Sequence, residues 1–401
     1  MKILLCCEYY SPSVGGVQEV MRQLAERLVL KGFAVSVATG RHARRERISS
    51  IRGVTVHSFG VTGNAVSGLR GDVASYRSFL LDQKFDVILI NAAQQWTFDA
   101  ALDVLPRLAS KLYFIPCGFS GLGHIKYRSY YEQMPHWLDL FDGLIFATQH
   151  YQDYAFATKK STAACHLIPN GVDEREFADL DNSGMRQQLG LANGDHLLLD
   201  VGSLLRAKGH WEALLAYAAA DLPSQSVLVI NGNTHPKRPL VMLFKFLADL
   251  ARGRFPLSFH LWLLSISLRR QGKRVLLLDL PRKSLLSLYK AADLFVFPSH
   301  VEYSPLVLFE AAASSTPFVA SIAGNSQEIA MWTKAGITVP AASQSSAQVH
   351  VSALSLAIST LLRDPVRLKR MAHEGREAIF ARGLTWSDLA DRYAELLLGR
   401  I

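Results

Sequence analysis

DLFVFPSHVEYSPLVLFEAAA, residues 293–313, is the stretch from which the fold can be read. Its opening run, Leu294–Phe297, is continuously apolar, as expected of a strand covered on both faces. A polar loop follows. Ser304 is a good N-cap and Pro305 suits a first helical turn, so the apolar run from Leu306 reads as a helix. Buried strand, loop and helix make up the repeating unit of a parallel α/β sheet. Two acids interrupt it, Glu302 in the loop and Glu310 eight positions on. Glu310 sits in PLVLFEAAA, where an acid without a partner is expensive. The pair is either a solvated surface or a cradle for a ligand carrying hydroxyls and phosphates. A carboxylate accepts from paired hydroxyls, and a helix N-terminus faces phosphate.

The same unit recurs outward in both directions. KILLCC, FAVSVAT, VTVHSF, DVILIN, KLYFIP, GLIFAT and CHLIP read as strands with helical stretches between most of them. From Val17 the positions Val20, Met21, Leu24 and Leu28 keep helical spacing until Gly32, a natural C-cap. After IPNGVD a polar stretch runs to about Asp195, and the alternation restarts with HLLLDVG, SVLVING, RVLLLD, DLFVFPS and PFVAS. The expected fold is therefore α/β: two similar Rossmann-like domains facing each other across a cleft. Ligands of open parallel sheets bind beyond the carboxyl ends of the strands.

Composition agrees. At 401 residues the chain exceeds what one core usually serves, and 49% apolar residues exclude disordered and fibrous classes. MKILLCCEYYSPS has too short an apolar run before Glu8 for a signal peptide, and no segment reaches the roughly 20 apolar residues of a spanning helix. Cys6, Cys7, Cys117 and Cys165 lack metal-ligand spacing and read as buried thiols of a reduced, cytoplasmic protein. No metal and no cofactor is expected.

Two further segments carry chemistry. In SPSVGGVQEV, Gly15 and Gly16 follow the first strand and open the first helix, where backbone N–H groups suit a phosphate or an acceptor. The segment lacks the G-x-G-x-x-G dinucleotide pattern, which argues against an oxidoreductase. In DVGSLLRAKGH, Arg206 and Lys208 follow a strand end, either as a solvated basic loop or as cations for a diphosphate. Trp96, in NAAQQWTF, is a candidate for stacking on an acceptor sugar, although Trp is more often a packing residue. Asp179 and Asp181, in DLD, mimic a metal-binding D-x-D but read as solvated linker charge.

Taken together, GG in the first loop, IPNGVD, VGSLLRAKGH, AADLFVFPS, the paired glutamates and ASIAGNSQEI resemble the retaining glycosyltransferases of family 4, which have the GT-B fold. The resemblance covers nearly the whole chain. It implies transfer of a hexose from a UDP- or GDP-sugar to a glycan or lipid-linked acceptor, with retention and without a metal, in cell-surface polysaccharide or glycolipid assembly. It implies an acceptor-binding domain at 1–173, a donor-binding domain at 174–380, and a C-terminal helix at 381–401 returning to the first domain. By it, Gly16 lies near the donor diphosphate and Lys208 binds it. Glu302 contacts the donor sugar and Glu310 the ribose, while Tyr303, Ser304 and Leu306 border the same site. Glu302 and Lys208 would carry catalysis, with front-face departure of the leaving group because no acid is placed as a nucleophile.

The chain departs from the family at four points, one of them Pro305, which removes a backbone N–H at a position where some members have Pro. Ser203 stands where members usually have Arg, Arg206 being the substitute within reach. Tyr303 stands where Gly is common. Cys117-Gly118 replaces a His-Gly at the end of the fifth strand, His124 being near in sequence. Trp96, Cys117 and His124 are the candidates on the acceptor side. Rival readings are a nucleotide-sugar epimerase on the same fold and a non-catalytic nucleotide-sugar-binding protein.

One segment is extra. Between Lys237 and Arg274 there are nine Lys or Arg and one acid, Asp249, which accounts for +8 of the net +9. This insertion, about 236–272, alternates apolar helical stretches with basic residues. Such faces suit an anionic membrane surface, a hairpin packed on its own domain, or a dimer contact. The charge is local and no reading motif accompanies it, so nucleic acid is not expected as a partner. The expected location is cytoplasmic, peripheral on the inner face of the membrane.

Overall fold

A computed structural model describes residues 1–179, 184–222, 225–232, 266, 268, 271–341 and 347–400. They form two compact units, Met1–Asp173 with Leu384–Ile401, and Glu174–Gly383.

The first unit holds an eight-stranded sheet of order β10-β9-β8-β7-β1-β2-β4-β3. Its strands are β1 (Lys2–Cys6), β2 (Ala34–Gly40), β3 (Ile48–Ile51), β4 (Val54–Phe59), β7 (Val87–Asn91), β8 (Lys111–Ile115), β9 (Gly143–Phe146) and β10 (Ala164–Leu167). A separate two-stranded ribbon pairs β5 (Val61–Thr62) with β6 (Arg70–Gly71). All neighbours in the large sheet run parallel except β3 and β4. VILIN in β7 is buried throughout, as both-face coverage requires.

The first helix, Gly16–Leu30, buries Met21, Leu24, Ala25 and Leu28. It ends as the glycine predicts. Gly32 takes φ 86°, its N–H reaches the Val29 carbonyl, and the Phe33 N–H reaches that of Leu28. Helix Trp386–Leu397 packs beside it, and the Tyr113 hydroxyl donates to the Leu396 carbonyl at 3.1 Å. A buried ion pair joins Arg27 to Asp173 at 2.9 Å.

The second unit holds an all-parallel six-stranded sheet of order β13-β12-β11-β14-β15-β16. The strands are β11 (His196–Val201), β12 (Ser226–Asn231), β13 (Lys273–Leu278), β14 (Leu294–Phe297), β15 (Phe318–Ser321) and β16 (Gly336–Val339). Leu198, Leu228, Ile230, Leu294, Val296 and Val319 meet Tyr217, Leu354 and Ile358 in its core. Strand order reverses between β11 and β14, so the loops after these two strands border the switch point where such sheets bind ligands. In the first unit the reversal lies between β1 and β7.

One expectation is corrected. Ser304 does not cap the helix that follows β14. That helix is Leu306–Ala313, with Pro305 itself in the N-cap position at φ −72° and ψ 113°, and the Pro305 carbonyl accepts the first bond, from Leu308. The ring fixes φ at a value the N-cap tolerates, and the boundary moves one residue along. The basic insertion lies almost wholly outside the described residues, as does the segment 180–183 that ends DLD. Of residues 233–270 only Ile266 and Leu268 are described; Leu268 is buried in the core of the second unit. Among the described residues no helix is long and apolar enough to cross a membrane.

Candidate functional site

The loop after β11 carries Lys208 in a short 3-10 turn, Arg206–Lys208, and the loop after β14 carries Glu302. The two are stitched together. The Ala207 carbonyl accepts from the His300 N–H at 2.8 Å, and its oxygen lies 3.1 Å from the Ser299 hydroxyl oxygen. Gly209 makes the approach possible: φ is 73°, and a Cβ there would stand 2.1 Å from the Pro298 carbonyl oxygen. Held this way, the Lys208 ammonium reaches Glu302 Oε1 at 2.6 Å, and the Ser299 hydroxyl donates to the same oxygen at 2.6 Å. Glu302 Oε1 thus bonds a cation and a hydroxyl, and its side chain is 11% exposed.

A third loop closes on this pair. Gly324, after β15, has φ 57°, and a Cβ there would lie 2.3 Å from the Tyr303 carbonyl oxygen. The next residue, Asn325, donates its N–H to that oxygen at 2.9 Å. Between Glu302 and Glu310 comes the start of helix Leu306–Ala313, whose N-cap residue, Pro305, supplies no side-chain cap. Its first N–H groups and the positive end of its dipole suit an anion.

Glu310 is buried and bonded to Arg282 Nη1 at 2.8 Å; Arg282 also reaches Glu176 at 2.6 Å. The expense that its apolar helix implied is met by this arginine, which sequence reasoning missed. Arg282 lies at the start of another helix, Arg282–Ala291, and nothing in the local sequence marks it as Glu310's partner. Arg206 is exposed. Asp200 did carry a signal, being the only acid in HLLLDVG. It is fully buried against His210. Among the described residues no three His, Cys, Asp or Glu side chains gather as a metal site would need.

In the first unit, Gly15 is the N-cap of helix Gly16–Leu30, no side chain caps that helix, and a Cβ on Gly16 would meet nothing within 4 Å. The loops after β7 and β8 are strained: Ala92, Gln94, Cys117 and Phe119 have φ of 66°, 64°, 57° and 48°. Gln152 donates to the Gly118 and Phe119 carbonyls, and Asp153 accepts from the Gly118 N–H at 2.8 Å. The Cys117 thiol lies 3.1 Å from Asn91 Oδ1, and burial, then Asp153, pushes its pKa up to about 12. His124 is exposed, accepts from the Lys126 N–H at 3.1 Å, and lines a cavity of about 550 Å³ with Arg128, Tyr131 and Phe156.

Trp96 is a correction. It is 1% exposed, with its ring edge-on to Tyr76 at 5.0 Å and to Phe59, so no face is left for a sugar. The apolar wall that a large ring can fill in the core outweighs exposure.

The family model for Glycosyl transferases group 1 matches residues 181–378, and that for Glycosyltransferase Family 4 matches residues 14–176. The chain belongs to the family 4, group 1 glycosyltransferases and has their GT-B fold. It is 29% identical over 239 residues to a D-inositol 3-phosphate glycosyltransferase of Nocardia farcinica, the match covering 57% of this chain and 46% of that protein. It therefore spans only about half the length of that relative. It is 24% identical over 342 residues, 81% of each chain, to the UDP-Gal:alpha-D-GlcNAc-diphosphoundecaprenol alpha-1,3-galactosyltransferase of Escherichia coli. Among solved structures, Anabaena HepE in complex with UDP superposes with a TM-score of 0.74 over 100% of both chains at 18% identity.

Proposed function

We propose that this protein transfers a hexose from a UDP- or GDP-sugar to a glycan or lipid-linked acceptor, with retention and without a metal, in assembly of cell-surface polysaccharide or glycolipid. The observation that carries the reading is the Lys208–Glu302 contact at a sheet switch point, followed by the helix start after Pro305 and then Glu310. The names of the relatives support the class of substrate: a UDP-sugar donor and a diphosphate-linked lipid acceptor in one, bound UDP in another.

The chemistry follows from the pairing. In the free site Glu302 neutralises Lys208. An arriving diphosphate takes the ammonium, which frees Glu302 for the sugar's hydroxyls, while the N–H groups at the start of Leu306–Ala313 face the phosphates. Glu310, fixed through one oxygen by Arg282, keeps the other for the ribose diol. Charge on the leaving diphosphate grows as the glycosidic bond breaks, and Lys208 and the helix end stabilise it. That diphosphate takes the acceptor's proton on the same face. Gly15, Gly16, Cys117 and His124 are assigned to the diphosphate and acceptor sides, residues 174–380 to the donor and 1–173 to the acceptor. Of segment 237–274, the basic residues up to Arg270 are assigned to an anionic membrane surface on the cytoplasmic side; Lys273 and Arg274 lie in β13 and donate to backbone carbonyls of their own unit.

A thermal-shift screen against UDP-, GDP- and ADP-sugars tests the donor, and product analysis tests the reaction. Glycoside with the donor's anomeric configuration is expected, and Lys208→Ala and Glu302→Ala should fold yet lose at least about a hundredfold in turnover. Release of a changed free donor would instead establish an epimerase. Binding with no product on any lipid-linked acceptor would leave only a binding protein.

A further inference from the structure

We propose that His210 is a positioning residue for Lys208, held as a doubly protonated imidazolium beneath the loop that presents the lysine. His210 opens helix His210–Ala219 and is 1% exposed. Its Nδ1 lies 2.7 Å from Asp200 Oδ2 on β11, and its Nε2 lies 3.0 Å from the Ser203 carbonyl oxygen. A carbonyl only accepts, so Nε2 carries a proton; a carboxylate only accepts, so Nδ1 carries another. A carboxylate 2.7 Å from the ring favours the ring's charged form. Burial alone would lower the His210 pKa, but the Asp200 charge and the two hydrogen bonds outweigh it and hold the pKa above the ordinary value.

The grip on Ser203 leads to Lys208. The same carbonyl accepts the Leu205 N–H at 2.6 Å, and the Leu205 carbonyl accepts the Lys208 N–H at 3.0 Å. The ring and the lysine stem also line one side of Gly202, where a Cβ would stand 3.4 Å from His210 Cε1 and 3.5 Å from Lys208 Cγ. The charged groups facing the ring are Asp200 from β11 and Lys208 from the loop, which opposes protonation; Tyr289 is the other titratable group near Asp200.

The sign of the pH effect follows. The folded pKa is raised, so the contribution is complete below about 6.5 and is lost as pH rises through the raised value. The proton that leaves is the one on Nε2, because Asp200 retains that on Nδ1. A bare nitrogen then faces the carbonyl at 3.0 Å, the contact turns repulsive, and the loop loosens. Asp200→Asn behaves differently. Its amide donates to Nδ1, so a neutral ring keeps its Nε2 proton on Ser203 at any pH.

The functional half of this inference rests on Lys208 holding the donor diphosphate; the protonation state does not. Nitrogen-15 NMR of the nucleotide-free protein at pH 6 is expected to show both His210 nitrogens protonated, and one unprotonated nitrogen overturns the proposal whatever the protein binds. Titration with UDP is expected to weaken about tenfold per pH unit above the His210 pKa in the wild type, and to stay level in Asp200→Asn. An alkaline fall in Asp200→Asn equal to that of the wild type, or none in the wild type, overturns the positioning role. Absence of both UDP and GDP binding at every pH, with both nitrogens protonated, would count against the glycosyltransferase reading and against the positioning role, and would leave the imidazolium standing.

Discussion

Replacing Arg282 with Met is expected to destabilise the second unit by about 2 kcal/mol. The figure comes from the pair's surroundings. The Glu310 side chain is 10% exposed and that of Arg282 40%, at 2.8 Å. Removing one partner of a fully buried pair costs about 3–5 kcal/mol, and an exposed pair contributes about 0.2–1. With one partner dry and the other partly wet, a charged hydrogen bond of about 1.5–3 kcal/mol is the closest match. For a unit of roughly 200 residues this lowers Tm by about 4–8 °C. Adding Glu310→Gln should recover at least about half, because no stranded charge remains, whereas Glu176→Gln alone should cost under about 1 kcal/mol. Thermal unfolding followed by circular dichroism reads all four proteins. Arg282→Met melting within about 1 °C of wild type, or a double variant no better than the single, would refute the reasoning.

Two other predictions need only stability measurements. Gly324→Ala places a Cβ 2.3 Å from the Tyr303 oxygen at φ 57° and should cost more than about 2 kcal/mol in urea titration, whereas Gly16→Ala, with open space, should stay within about 0.5. Asp99 is buried and accepts from Tyr130 at 2.6 Å; burial raises its pKa to about 6 despite that bond. The folded protein therefore holds this proton more tightly than the unfolded chain, so stability falls by up to about 3 kcal/mol as pH rises from about 4 to 6, and Asp99→Asn should flatten that window.

What the sequence made legible follows from what burial demands of it. KILLC, VILIN and LFVF are continuous apolar runs too short for helices, which left one reading for each, and both sheets could be drawn from such runs. ISSI in β3 and GITV in β16 escaped notice because edge strands are short and need not be apolar on both faces. Glu302 and Glu310 were legible because acids beside an apolar strand and helix demand a reason. Arg282 and Ser299 were not, since tertiary structure alone brings them to those carboxylates. The Ser-Pro step misled by one residue because either residue satisfies an N-cap's backbone. Trp96 shows the limit of reading a ring from its place after a strand: the loop turned it inward.

The polypeptide passes between its two units twice, at Asp173–Glu174 and at Gly383–Leu384. Val172 and Leu384 are hydrogen-bonded at 3.1 Å, Trp386 donates to the Val172 carbonyl at 2.8 Å, and Arg392 donates to the Leu167 carbonyl at 2.6 Å. The first unit is thus assembled from both ends of this chain. A chimera that exchanges the first unit between relatives must carry residues 384–400 along with 1–173, and a cut before Leu384 would strip a helix from the N-terminal half rather than shorten the C-terminal one.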